Sequence, residues 1–259
     1  MGVTQSSPGG ATPRSPRGMP DGEARVSGMQ KEGGKPVTAQ HLLVRYAKRG
    51  KMRFASHLDV ARAFERGVRR AGLPIAYSAG FTPHPKISYA GGAPTGVASE
   101  AEYLSLTLTS RTEADAVLER LNAALPDGID VIAVAEDSGG LPASRLTASE
   151  WQIALPGLPL DDVVPVVRKF LALTEAPVER LTSKGMRRMD ARAAVVSLEV
   201  LGDTRSSMLH MVVRHTVPSV RPDDVLNALR DVSDVFPAGL PLTTRLAQGS
   251  LGESGVVTL

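Results

Sequence analysis

The chain has 259 residues, 42% of them hydrophobic and 22% charged, with a formal charge of +3 and no cysteine. That composition is ordinary for a folded protein large enough to hold two small domains, and the missing cysteine excludes disulfides, thiolate nucleophiles, sulfur-bound zinc and iron–sulfur clusters on this chain. With no apolar run near the ~20 residues that cross a bilayer and no secretory signal pattern at the N-terminus, a cytoplasmic protein without membrane contact is expected.

Residues 1–37 are rich in Gly, Pro, Ser and charge, and they offer too little apolar surface to offset chain entropy, so they are expected to form a disordered tail. The apolar run Leu42–Ala47, the turn-like Lys48-Arg49-Gly50-Lys51 and Met52-Arg53-Phe54 read as a strand or hairpin. Ser56 with Asp59 three residues on is a capping-box signal. Leu58, Ala61, Phe64, Val68 and Ala71 then recur at helical spacing until Gly72 and Pro74 end the pattern. Strand pieces are predicted at 74–78 and 86–90, flanking the loop Ala79–Pro85, followed by a half-buried strand over 102–109. An amphipathic helix over 113–125 and a strand over 129–135 complete the order β-α-β-β-α-β.

After a Gly-Gly-Leu-Pro linker at 139–142 the pattern repeats: a strand at 151–155, a helix at 161–173, strands at 195–201 and 208–215, a helix at 222–232 and a strand at 242–247. A further strand over 178–181 would complete this half, and Lys184-Gly185-Met186-Arg187-Arg188 reads as a basic loop. The expectation is therefore an α+β chain of two tandem ferredoxin-like modules. They span 38–140 and 141–248, behind the disordered tail and ahead of a flexible end at 249–259.

Charge is unevenly spread. Between residues 42 and 90 the cations Arg45, Lys48, Arg49, Lys51, Arg53, Arg62, Arg66, Arg69, Arg70 and Lys86 face only Asp59 and Glu65, whereas residues 91–150 are predominantly acidic. By the helical period, Asp59, Arg62, Arg66, Arg69 and Arg70 share one stripe opposite the apolar face. Guanidinium groups so placed suit phosphate, which they bind through a planar fork of donors, and they also stack on bases. A plain solvated helix face is the alternative reading.

His84 lies between Pro83 and Pro85, on a backbone that the two rings stiffen. Its imidazole suits acid–base work or a phosphate contact, or a simple bond to a neighbouring carbonyl. His57 begins the helix, where a local packing role competes with a phosphate contact. Phe81, after Gly80, is the best stacking candidate. The run Gly91-Gly92-Ala93-Pro94-Thr95-Gly96 offers flexible backbone but no phosphate-loop pattern. The candidate nucleic-acid-binding set is thus Arg53, His57, Arg62, Arg66, Arg69, Arg70, Phe81, His84 and Lys86, with His84 the candidate for catalysis. No metal site or catalytic triad is indicated, and no cofactor is expected.

The segment from Phe54 to Ser88, containing Ala55-Ser56-His57-Leu58-Asp59 and Phe81-Thr82-Pro83-His84-Pro85-Lys86, together with Gly96-Val97-Ala98-Ser99-Glu100-Ala101-Glu102-Tyr103, closely resembles the radical SAM-associated domain of unknown function. The resemblance covers residues 42–246. It implies the stand-alone actinobacterial form of a domain otherwise fused to the C-terminus of radical SAM proteins. A chain without cysteine cannot carry the cluster of such enzymes, so the resemblance implies an accessory role beside a catalytic partner. The leading expectation is an accessory protein that binds tRNA or ribosomal RNA for modification or processing by a partner. Two further readings stand beside it: a metal-independent RNA endonuclease using His84, and a protein-only adaptor for a radical SAM enzyme.

Overall fold

Apolar alternation in the first ordered strand decides much of the architecture. In the computed structural model, which describes residues 38–137, 143–182, 185–236, 241–253 and 255–258, strand β1 (Gln40–Lys48) is buried on both faces. Leu42, Val44 and Tyr46 point to one side, Leu43 to the other, as a period of two requires. The first set joins Leu104, Leu106 and Leu108 of β3 (Ala98–Leu108) beneath helices α1 (His57–Arg70) and α2 (Ala114–Ala124). Phe64 of α1 is fully buried there, its ring 4.8 Å from that of Tyr46 and edge-on to it. On the opposite face Leu43 packs with Ala101, Tyr103 and Leu146.

Helix α1 begins as the sequence indicates. The Ser56 hydroxyl accepts from the Asp59 amide at 3.2 Å while the Asp59 carboxylate accepts from the Ser56 amide at 3.1 Å, closing the capping box. Strand β2 (Ile87–Ala90) pairs with β3, and β4 (Ile129–Glu136) pairs with β1.

The second half supplies β5 (Ala148–Pro156), α3 (Leu160–Leu171), β6 (Pro177–Thr182), β7 (Gly185–Asp190), α4 (Ala191–Ala194), β8 (Val195–Gly202), β9 (Ser206–Arg214), α5 (Pro222–Val232), β10 (Leu242–Gly252) and β11 (Gly255–Thr258). Its core gathers Trp151, Ile153, Phe170, Leu209, Met211 and Leu229. The architecture is mixed α/β, with five helices among the described residues and one nine-stranded sheet ordered β4-β1-β3-β10-β5-β9-β8, β2 lying on β3 and β11 on β10. Instead of lying apart behind a linker, the halves share this sheet. They join where β10 runs parallel to the start of β3, Thr244 opposite Ala98 and Arg245 opposite Ser99. Because β1 holds one edge of β3, the other edge is divided between β10 at Ala98–Ser99 and β2 at Tyr103–Leu106. The β2–β3 connection, Gly91 to Val97, therefore sits at the seam.

Several local expectations change. Residues 50–54 form a 3-10 turn instead of a strand, because Gly50 adopts φ +52° and bends the chain. Residues 74–78 make only isolated bridges, Ile75 to Leu108 and Tyr77 to Pro85. Residues 185–188 are not a loop. They lie in β7, paired with β6 from Thr182 opposite Gly185, which adopts φ +96°. The end of the chain is paired too, β10 continuing to Gly252 and turning back as β11; Gly249 permits this, since a Cβ there would collide with the Val257 carbonyl. The tail 1–37, the linker at 139–142 and Lys184 lie outside the described residues.

Gly128, just before β4, adopts φ +87°, and a Cβ there would lie 2.8 Å from the Arg49 carbonyl oxygen. The Arg49 amide in turn donates to the Gly128 carbonyl at 2.8 Å. Gly128→Ala is expected to lower the unfolding free energy by about 2 kcal/mol, measured by urea denaturation; an unchanged midpoint would show that the turn relaxes without strain.

His215, following β9, donates from Nδ1 to the Leu146 carbonyl at 2.7 Å and accepts at Nε2 from the Ser149 hydroxyl at 2.8 Å. Burial holds its pKa below the usual 6.5, with Arg245 acting in the same direction and the Leu146 bond opposing. Below pH 6.5 the unfolded chain therefore binds a proton more readily than the native one, so stability present above that pH is lost as acidification proceeds towards the depressed native value. His215→Asn is expected to flatten this acid-side decline in thermal unfolding followed from pH 7.5 to 5.

Candidate functional site

The cations that lie together in the sequence separate in three dimensions into internal and external groups. Arg49 forms ion pairs with Glu100 and, at 3.0 Å, with Asp130. Arg45 donates to the Glu100 carbonyl at 3.0 Å, and Arg70 donates to the Ala124 carbonyl at the end of α2 at 3.0 Å. Arg53 bonds the Gly96 carbonyl at 2.7 Å, its guanidinium 5.5 Å from the Phe54 ring centre. Each of these positive charges is already tied to protein oxygen.

Arg62, Arg66 and Arg69 differ. All three are exposed on α1, where the buried face is formed by Val60, Ala63, Phe64, Gly67 and Val68. None makes an ion pair or a side-chain hydrogen bond among the described residues, although Arg62 is close enough to Asp59 to stabilise its carboxylate. The 78–85 loop is closed at its base by the Ser78 amide on the His84 carbonyl at 2.8 Å and by the His84 amide on the Ser78 hydroxyl at 3.0 Å. Its tip carries Phe81 wholly exposed, after Gly80 at φ +138°. The His84 ring is exposed and Lys86 half-buried. Phe54 and Leu58 add exposed apolar surface at the entrance to α1.

A second constellation lies at the seam between the halves. Lys48, Glu102 and Arg245 are 3%, 2% and 5% exposed, and all three hold the Gly91–Gly96 connection. Arg245 Nη1 bonds the Gly91 carbonyl at 2.9 Å and Glu102 Oε1 at 3.0 Å. Glu102 Oε2 accepts from the Ala93 amide at 2.9 Å. Lys48 Nζ donates to the carbonyls of Ala93 and Pro94 at 3.2 and 3.3 Å. Buried charge is tolerated only when paired and fully bonded, and burial lowers the pKa of Lys48 and of Arg245 while pushing the Tyr46 hydroxyl well above its ordinary value. The Arg245 guanidinium also lies 4.6 Å from the centre of the Trp151 ring.

This connection separates two chambers that share Gly91 and Gly92. One, about 330 Å³, is lined by Tyr46, Lys48, His57, Tyr89 and Glu102. His57, exposed at the start of α1, sets its ring edge-on to Tyr89 with centroids 5.2 Å apart. The other, about 380 Å³, is lined by Trp151, Val220, Arg221, Arg245 and Gln248.

The predicted set is thus divided. Arg62, Arg66 and Arg69 share one exposed helical face, Phe81 and His84 project on the stiff loop, His57 faces the first chamber, and Arg53 and Arg70 are engaged internally. Lys48, Glu102, Trp151, Arg245 and Gln248 escaped attention as a site. The signal was a charged residue at a buried phase within an apolar strand, but its meaning depends on partners up to 154 positions away. Among the described residues no group of His, Asp and Glu side chains is placed to hold a metal ion, and no helix is long and apolar enough to cross a membrane.

Comparison with known proteins adds a family and little else. No curated protein matches the chain. Among solved structures it is similar to a chain in the crystal structure of a Cbf5-Nop10-Gar1 complex, at 12% identity and TM-score 0.46. It is aligned over 91% of its own length but spans only 59% of that chain, a likeness too remote to carry an argument. The model of a bacterial family matches residues 41–222, containing α1, the projecting loop and the Lys48–Glu102 part of the seam; the chain belongs to this family of uncharacterized proteins conserved in bacteria, DUF2344.

Proposed function

We propose that the protein binds RNA through the exposed face of α1 and the 78–85 loop, as an accessory that presents the RNA to a modifying or processing enzyme. One observation carries this reading. Arg62, Arg66 and Arg69 stand unpaired among the described residues on one helical face, while Arg45, Arg49, Arg53 and Arg70 around them are bonded internally. Phosphate contacts from such arginines supply sequence-independent affinity, and the free Phe81 ring suits stacking on an unpaired base. The resemblance of the signature segment to the radical SAM-associated domain supports a partner that carries the cluster chemistry. We read each half as ferredoxin-like: the orders β4-β1-β3-β2 and β10-β5-β9-β8 are the same permutation of a β-α-β-β-α-β chain, with β6, β7 and α4 inserted in the second.

Fluorescence anisotropy with a labelled single-stranded RNA is expected to show binding that weakens steeply between 50 and 200 mM salt. Replacing Arg62, Arg66 and Arg69 by Ala should weaken it on the order of tenfold or more, and should reduce the salt slope by roughly 2 if each arginine meets one phosphate at ~0.7 per contact. Absence of binding at low salt, or a triple variant that binds like the wild type, would remove the proposal.

Phe81→Ala is expected to cost roughly 1–3 kcal/mol of RNA affinity through lost stacking without altering thermal stability, because the ring touches solvent alone. RNA incubated with the protein and EDTA is expected to remain intact. Cleavage that disappears in His84→Ala while binding persists would replace the accessory reading with that of a metal-independent ribonuclease.

A further inference from the structure

The chamber between the Gly91–Pro94 connection, Trp151 and the start of α5 has a chemistry of its own. It is about 380 Å³, its walls are largely apolar, formed by Trp151, Pro94, Val213, Val220 and Pro222, and no carboxylate lines it among the described residues. Its polar groups are sorted by position. Arg245 and Gln248 are 5% and 1% exposed, and their Nε and Nε2 atoms are shielded from solvent without a hydrogen-bond partner among the described residues. Native interiors leave few donors in that condition, and each one calls for an explanation. Arg221, by contrast, is exposed, and its side chain makes no hydrogen bond or ion pair among the described residues; Ser219 stands beside it in the lining.

We infer that this chamber binds one nucleotide, its base held against the Trp151 wall with an acceptor-bearing edge towards Arg245 and Gln248, and its phosphate towards Arg221. Three features select this class. Apolar walls around an arginine stacked on an indole suit a planar ring. Two donors without a partner among the described residues, on side chains that line the chamber, match a base edge with two adjacent acceptors, as guanine presents at O6 and N7. An exposed guanidinium with a neighbouring hydroxyl suits a phosphate. The first turn of α5 is not needed for the phosphate: Asp224 already caps it, accepting from the Arg221 amide at 2.7 Å and pairing with Arg180. The site is separate from the α1 surface and does not depend on that surface binding RNA. Its nucleotide can come from an RNA strand or be free in solution, since the recognising groups are the same.

Trp151 is the sole tryptophan, so its fluorescence reports on this chamber directly. The full chain is titrated at low salt with GMP, guanosine and inorganic phosphate, with calorimetry in parallel to avoid nucleotide absorbance. GMP is expected to saturate the signal, with guanosine and phosphate each at least tenfold weaker. Arg221→Ala is expected to weaken GMP at least tenfold while leaving guanosine and thermal unfolding unchanged; Gln248→Leu is expected to weaken guanosine as well. Absence of saturation by millimolar GMP, phosphate binding as tightly as GMP, or an Arg221→Ala variant of wild-type affinity overturns the inference. A short guanine-containing RNA that displaces GMP assigns the nucleotide to RNA, and one that does not assigns it to the free pool. RNA binding lost on Arg62, Arg66 and Arg69 substitution, with GMP binding retained, bears on the α1 surface alone.

Discussion

The ion pair of Glu102 with Arg245, 3.0 Å apart and almost wholly buried, is the contact on which the joined sheet depends. Each charge comes from a different half, and a charge removed from water needs an opposite charge and complete hydrogen bonding to be tolerated. Glu102 meets that need with Arg245 and the Ala93 amide; Arg245 meets it in part, through Nη1 to Glu102 and the Gly91 carbonyl, with Nε left unbonded among the described residues. The same bonds place the Gly91–Gly96 connection, so the pairing that unites the halves also shapes the two chambers. Lys48 adds a second cation to the same connection, bonded to carbonyls instead of to the carboxylate.

Sorting of charge follows from the same constraint. The basic stretch 42–90 and the acidic stretch 91–150 meet directly at Arg49, which takes Glu100 and Asp130, while Arg45, Lys48, Arg53 and Arg70 bond backbone carbonyls and Glu102 is neutralised from the far end of the chain. What remains outside is not the sum of the cations but the part that folding left unpaired, the α1 face at Arg62, Arg66 and Arg69. Net charge alone could not separate these populations, because a field at the surface depends on where charge lies and on what screens it.

The two faces so produced are different in kind. The α1 surface is open and cationic, with three exposed arginines on one helical face. The second chamber is a recess with largely apolar walls, and the two donors proposed to meet a base come from β10 of the sheet. The Gly91–Gly92 backbone lies between the second chamber and the one His57 lines, and a Cβ on Gly92 would already lie 3.5 Å from Glu102 and 3.7 Å from His57. Close approach of backbone to charged side chains is what those glycines permit.

Local chemistry was legible in the sequence where it acts over a few residues. The Ser56–Asp59 capping box, the apolar stripe of α1, the exposed arginine stripe and the stiff loop around His84 all follow from short-range geometry, since a 3.6-residue period and a capping pair need no distant partner. The absence of cysteine likewise settled, without any coordinates, that this chain holds no thiolate-bound cluster. Only the tertiary structure decided that the halves share one sheet, that residues 249–252 pair with 255–258, that Arg53 and Arg70 are bonded to carbonyls, and that Lys48, Glu102, Trp151 and Arg245 converge. Those outcomes rest on long-range strand pairing and on the desolvation of charges brought together from opposite ends of the chain, and neither leaves a periodic signal in the residues that take part.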